Sequence, residues 1–332
     1  MTFDVTLMPL VLAHLSDLHL GPVEGFALRH WNVKRGLGYA NWVGRRRRVH
    51  QPHVVARLLE DLATQQVDHI VVTGDLINIG LPREYENALR WLEALGPPDR
   101  VTVVPGNHDI YVRLKNDPGI GRWRPYFSER PQRADAAAGA EFPFVRRLGS
   151  VALIGLCSAV PTPPFVAAGR VGERQLSVLG PLLDRLHGEG LVRVVLIHHP
   201  PLPEQASPRR GLADAAALAS VLERHGAELV LHGHSHLDML AARSWRSGQI
   251  PVVGVASASV ARRHKREPLG RYNLIRIDRD HGPARIELIG RGPREPGGAV
   301  VELERRLLSP RDEEFSQQKR NNLGPTAGGF VR

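Results

Sequence analysis

Cysteine, lysine and long apolar runs are all scarce in this chain, and each shortage removes a class of explanation. A single cysteine, Cys157, in 332 residues excludes an internal disulfide and keeps thiolate out of any metal site. A reducing compartment, the cytoplasm, is the expectation. No apolar stretch reaches the eighteen or so residues that a membrane-spanning helix needs. The first apolar stretch follows Asp4 rather than a basic region, so it reads as a strand and not as a signal peptide. Lysine occurs only at positions 34, 115, 265 and 319, so the net charge of +10 is almost all arginine. Such a charge invites a nucleic-acid reading, but no recognition motif accompanies it and nucleic acid is not the expected partner.

The chain does carry five short motifs in order: Asp17-Leu18-His19, Gly74-Asp75, Gly106-Asn107-His108-Asp109, His198-His199 and Gly233-His234-Ser235-His236. Each follows an apolar run of strand length, at 10–15, 70–73, 101–104, 192–197 and 229–232. Helical periodicity lies between them, near 50–66, 82–95, 172–187 and 213–225. Alternating strands and helices predict an α/β protein with parallel strands, whose carboxyl ends share one edge. Residues far apart in sequence then converge there. Carboxylate, amide oxygen and imidazole suit hard or borderline metals such as manganese, iron or zinc. Asp75, with two oxygens and a central place in the order, is the natural bridge between two ions.

Taken singly, each motif has an ordinary explanation. Gly74-Asp75 and Gly106-Asn107 read as strand-ending turns. Of His198 and His199 only one can face the site, because successive strand residues point opposite ways; the other would support from behind. His232 reads as the end of its strand. His14, His30, His50, His53, His69, His187, His225, His264 and His281 have no motif context and read as packing or surface residues.

In this order the motifs resemble the calcineurin-like metallophosphoesterase family, over about 11–238. The resemblance implies a four-layer α/β/β/α sandwich, with further strands at 150–157, 250–255, 272–277 and 284–289 completing a second sheet. It implies a metal-dependent hydrolase of phosphoester bonds with two metal ions. Asp17, His19 and His236 would hold one ion, Asn107, His198 and His234 the other, and Asp75 both. The histidine of Gly-Asn-His, His108, would contact the phosphoryl oxygen or protonate the leaving group, with Asp109 orienting it by adjacency. The stretch Gly74-Asp75-Leu76-Ile77-Asn78 followed by Pro82-Arg83-Glu84-Tyr85 resembles the branch of cyclic-nucleotide and glycerophosphodiester phosphodiesterases.

Two insertions, 21–49 and 111–141, leave the proposed catalytic edge, and both mix aromatics with arginine. They read either as a cap whose aromatics pack on the domain or as a surface for an anionic headgroup carrying an apolar body. The second option makes a lipid-linked substrate, such as the UDP-diacylglucosamine hydrolysed by some family members in lipid A synthesis, the alternative to a small phosphodiester. It also implies peripheral contact with an anionic membrane. A nuclease and a metal-bound scaffold without turnover are further alternatives. One catalytic domain is expected over 1–292 and a flexible polar tail over 293–332, with an amphipathic helix at 300–308.

Overall fold

Runs of β-branched and aliphatic residues become short strands, and amphipathic segments between them become helices, in the computed structural model, which describes residues 9–128, 142–246, 248–279 and 283–308. Strand β1 (Leu10–Leu15) leads through helix α1 (Val33–Asn41), a π-helical turn (Trp42–Arg46) and α2 (Arg47–Val49) into α3 (Pro52–Thr64). Next come β2 (His69–Val72), α4 (Pro82–Leu95), β3 (Val101–Val103) and a 3-10 segment (Gly119–Phe127). Then follow β4 (Phe144–Leu148), β5 (Val151–Gly155), α5 (Glu173–Gly188), β6 (Val192–Leu196), α6 (Ala215–His225) and β7 (Leu229–His232). The last strands are β8 (Met239–Trp245), β9 (Gly248–Gly254), β10 (Tyr272–Asp278), β11 (Arg285–Pro293) and β12 (Val300–Leu307).

Two six-stranded sheets result, ordered β12-β11-β10-β1-β2-β3 and β4-β5-β6-β7-β9-β8. The central neighbours β1, β2 and β3 are parallel, as are β5, β6, β7 and β9, while antiparallel strands close the edges. Period-two alternation divides the core. On β6, Val192, Val194 and Leu196 join the cluster shared with β1 and β2, whereas Val195 packs with Leu179, Leu183 and Leu222 of α5 and α6. This is the expected α/β/β/α sandwich. Its parallel strands deliver their carboxyl ends to one rim, where all five motifs lie.

Helix α4 shows how local sequence sets the rim. Pro82 occupies its first turn, and the buried Glu84 carboxylate accepts the amides of Asn78, Ile79 and Leu81 at 2.8, 3.2 and 2.9 Å. That ties the loop after Asp75 to the helix.

Two expectations are corrected. Residues 300–307 are strand β12 and not a helix, because the turn at Gly297-Gly298 folds them back on β11, where Arg305 pairs with Glu287 at 3.0 Å. The tail therefore does not begin at 293, and residues 309–332 lie outside the described residues. Of the two readings of the second insertion, its described aromatics follow the one in which they pack on the domain: Trp123, Tyr126 and Phe127 are buried in the main core, with Trp123 Nε1 donating to the Tyr85 carbonyl at 3.0 Å. The rest of that insertion, 129–141, lies outside the described residues. Among the described residues no helix is long and apolar enough to cross a membrane.

Candidate metal centre

The loops leaving β1, β2, β3, β6 and β7 bring every sequence-predicted ligand together. Five of them, Asp17, His19, Asp75, His234 and His236, adopt positive φ of 45–69°, a conformation costly for residues with a Cβ. Such strain gathers where geometry matters more than local comfort. Two glycines make the close approach possible. A Cβ at Gly74 (φ 93°) would sit 2.5 Å from the Gly106 amide nitrogen, and one at Gly106 would run into the Asp75 carboxylate.

Asp75 lies between the two sets of histidines. Its Oδ2 is 3.5 Å from His198 Nε2 and 3.9 Å from His19 Nε2, and its Oδ1 accepts the His108 amide at 2.7 Å. On one side stand Asp17, His19 and His236. Asp17 Oδ2 accepts the His234 amide at 2.9 Å, while Oδ1 is buried without a hydrogen bond, its near neighbour being His236 Nε2 at 3.2 Å. On the other side, Asn107 Oδ1 is 3.2 Å from His198 Nε2, and His234 Nε2 is buried and unpartnered.

These orphaned atoms fit metal ions. A buried carboxylate oxygen and imidazole nitrogen without partners are costly unless something binds them. The ring nitrogens facing away are engaged as metal-ligating histidines require: His198 Nδ1 with the Thr73 carbonyl at 2.6 Å, His19 Nδ1 with the Ile77 carbonyl at 3.3 Å, His236 Nδ1 with Glu267 Oε2 at 3.5 Å. The groups Asp75-His198-His234 and His19-Asp75-His108 each bring ligand atoms within 4.8 Å of one another. Burial disfavours charged imidazole, yet the carboxylates of Asp75 and Asp17 outweigh it and lift His198 and His236 to about 9. Burial holds His19 and His234 well below the usual imidazole range, so these two stay neutral with a lone pair to offer.

His108 lies beside this cradle. Its Nδ1 meets the Asn78 carbonyl, its ring stacks on Tyr111 at 5.3 Å, and its Nε2 is 3.1 Å from Arg46 Nη1. Burial, then Arg46, pushes its imidazole down to about 4. Asp109 does not orient it. The Asp109 carboxylate accepts four backbone amides, Asp75 and Gly106 at 2.8 Å, Leu76 at 2.9 Å and Ile77 at 3.2 Å. Burial and the neighbouring Asp75 push that carboxyl up to about 7. Its geometry is that of a clasp joining two ligand loops.

His199 hydrogen-bonds Ser158 Oγ at 2.8 Å and the Ala167 carbonyl at 3.1 Å, and packs closer to the His234 ring (4.4 Å) than to His198 (5.1 Å). His232 ends β7 with its ring against Gly254.

Sequence reasoning missed three contributors. His50 stands 4.6 Å from the His19 ring and 5.5 Å from that of His236, Glu267 backs His236, and Arg46 reaches both His19 and His108. Of the three, Arg46 belongs to the arginine-rich first insertion. No spacing tied His50 or Glu267 to the motifs.

The centre floors a cleft of about 640 Å³. The first insertion supplies one wall through Lys34, Leu37, Gly38, Asn41, Arg45, Arg46 and Val49; Pro164, Phe165, Val166, Ala167 and Arg210 supply the other. Leu28, Trp31 and Val33 of the insertion, and Phe165 opposite, are 93, 61, 65 and 84 % exposed.

The family model for calcineurin-like phosphoesterases matches residues 10–238. A probable cyclic nucleotide phosphodiesterase of a Synechococcus strain is 27 % identical over 239 residues, 71 % of this chain and 77 % of that protein. A 3',5'-cyclic-nucleotide phosphodiesterase of a Nostoc strain is 25 % identical over 239 residues, 71 % of this chain and 75 % of that protein. The fold is similar to the crystal structure of a dimetal phosphatase from Danio rerio, with TM-score 0.54 and 14 % identity over 91 % of this chain and 99 % of that one.

Proposed function

The chain belongs to the calcineurin-like phosphoesterase family and is a metal-dependent phosphohydrolase; from that premise we propose that it cleaves a phosphodiester of nucleotide size in the cleft above the metal centre. The observation that carries this reading is Asp75, whose Oδ2 lies between His198 and His19 at the floor of a cleft far larger than a bare phosphate needs. Asp17, His19 and His236 would hold one ion and Asn107, His198 and His234 the other, with Asp75 shared between them. When bound, the pair supplies Lewis-acid stabilisation of phosphoryl charge and activation of water, and manganese, iron or zinc suits the donors.

The chain's own residues do the rest. Arg46, whose Nη1 meets His108 Nε2 at 3.1 Å on the cleft side, holds a phosphoryl oxygen by charge-assisted hydrogen bonds, and the negative charge of that group favours the protonated His108 imidazole, which then donates from Nε2. The Asn78 carbonyl and the Tyr111 ring fix the His108 imidazole, so its Nε2 faces the leaving group. Lys34, held by the Tyr111 carbonyl at 2.8 Å, and Arg210 add positive charge for a second anionic or nucleobase portion. Similarity to the cyclic nucleotide phosphodiesterases of the Synechococcus and Nostoc strains supports a cyclic nucleotide as substrate.

A second reading rests on one observation, exposed Leu37 on one wall of the cleft with Phe165 on the other, and exposed Leu28, Trp31 and Val33 in the same insertion as Leu37. Apolar side chains beside an arginine-rich cleft suit an acylated nucleotide diphosphate at a membrane surface. A hydrolysis panel with metal-loaded protein separates the readings: bis-p-nitrophenyl phosphate, p-nitrophenyl phosphate, cyclic AMP and UDP-diacylglucosamine, with Asp75→Asn as control. Turnover of cyclic AMP supports the first, turnover of the acylated nucleotide the second. No turnover with two metals bound overturns both and leaves a binding role.

A further inference from the structure

We propose that His50 is an additional protein ligand to the ion held by Asp17, His19 and His236, so that the first insertion is tied to the metal centre by a coordinate bond. The inference rests on the two-ion reading above and adds to it a residue from outside the five motifs.

The root of the side chain is fixed. His50 pairs with Val260 in an antiparallel bridge, its amide donates to the Arg46 carbonyl at 2.8 Å, and the next amide, Gln51, donates to the Ser259 carbonyl at 2.8 Å.

The ring's protonation follows from its partners. His50 Nδ1 is 2.8 Å from Ser259 Oγ. Ser257 Oγ donates to the Asp17 carbonyl at 2.7 Å, and Ser259 Oγ donates to the same carbonyl at 3.2 Å. With its hydrogen directed there, the Ser259 hydroxyl accepts from His50, which puts the proton on Nδ1 and leaves Nε2 as a bare lone pair. This is how a ligating imidazole is oriented from behind. His19 and His236 follow the same plan, with Nδ1 turned to the Ile77 carbonyl and to Glu267.

Each of these rings therefore has Nε2 left for the centre, and His19, His50 and His236 present ligand nitrogens within 4.8 Å of one another. An ion with bonds of about 2.1 Å holds opposite ligands about 4.2 Å apart, so small shifts gather all three. Lone pairs turned toward one another repel unless a cation sits among them. The unpartnered Oδ1 of Asp17 and the nearby Oδ2 of Asp75 complete the donor set.

Two consequences follow. Arg46 lies one helical turn before His50, and its carbonyl accepts the His50 amide; metal uptake thereby positions the arginine that meets substrate. An extra imidazole would also take a place at this ion, leaving substrate oxygen to the side of the centre formed by Asn107, His198 and His234.

The test uses the full chain stripped of metal and titrated with zinc alone against a chromophoric chelator. Long-range 15N–1H spectra of the histidine rings are recorded before and after loading, and circular dichroism checks the fold of each variant. In the wild type the His50 Nε2 resonance is expected to move to the metal-bound range, a readout independent of any variant. His50→Ala and His50→Gln are expected to weaken one of the two zinc sites at least tenfold and leave the other unchanged. Ser259→Ala should shift the same site in the same direction by less. Two sites filled with wild-type affinity in a folded His50→Gln chain, or a wild-type His50 Nε2 resonance unmoved by zinc, overturns the inference and leaves the two-ion reading intact. A wild-type chain that binds no second zinc overturns the two-ion reading itself.

Discussion

The carboxylate of Asp109 accepts the backbone amide of Asp75 at 2.8 Å, and through that bond the third motif holds the second in place. The same carboxylate takes the amides of Leu76, Ile77 and Gly106, so the turn carrying Asp75 and the turn carrying Asn107 share one clasp. Asp109→Ala leaves four buried donors unsatisfied and is expected to cost roughly 3 kcal/mol or more of stability, with metal affinity falling alongside. Urea unfolding checks this. An unchanged midpoint would mean that the loops hold themselves.

His108 separates from Asp109 in the same comparison. His108→Ala is expected to fold normally, keep both metals and lose about 10²- to 10⁴-fold in kcat, the range for a positioned acid or base. Arg46→Ala should lower kcat/KM with metal content unchanged, since Arg46 makes no ion pair with a carboxylate among the described residues that its loss would expose. Metal analysis beside kinetics decides; loss of metal in His108→Ala would move that residue into the ligand set.

Removal of metal tests the centre as a whole. Chelation is expected to abolish turnover and lower the melting temperature, because an ion bound only by the folded chain stabilises it by mass action. Readdition of manganese should restore both. Asp75→Asn, which weakens the bridge between the ions, should lose about 10³-fold in turnover, equivalent to about 4 kcal/mol of transition-state stabilisation. Calorimetry and a diester assay on the same samples give both numbers.

Stability should fall with acid for a reason outside the centre. His14 and His69 are buried, and burial pushes each imidazole down to about 3. Unfolded, each titrates near about 6.5. Below that value the unfolded chain binds protons that the folded chain refuses, so stability is full above about 6.5 and declines toward about 3. The slope is up to about 1.4 kcal/mol per pH unit for each histidine. Urea midpoints at about pH 8 and about pH 5 should differ in that direction, and His69→Gln should reduce the difference. Equal midpoints would show that neither histidine stays neutral when buried.

The legible part of this protein was local or periodic. The strands before each motif, the helices at 82–95 and near 50–66, 172–187 and 213–225, and the ligand residues themselves came from short-range pattern, and the chain folds accordingly. Strands β4 and β8 went unread. The segment at 300–307 was misread because its charged residues mimic a helix face, while its pairing with β11 is a contact made across a turn.

Residue order determined which donors reach the rim, because parallel strands of one sheet must end at one edge and each motif follows a strand directly. It also determined the thiolate-free donor set and the central place of Asp75 among the donors. Only the tertiary structure decided what surrounds those donors. His50 approaches His19 across 31 positions and Ser259 across 209, and Glu267 backs His236 across 31; no periodicity links such separations. It likewise decided that Trp123 fills the core while Trp31 faces solvent. Both sit in aromatic, arginine-rich insertions, and burial is a property of the surface each side chain meets rather than of its neighbours in the chain.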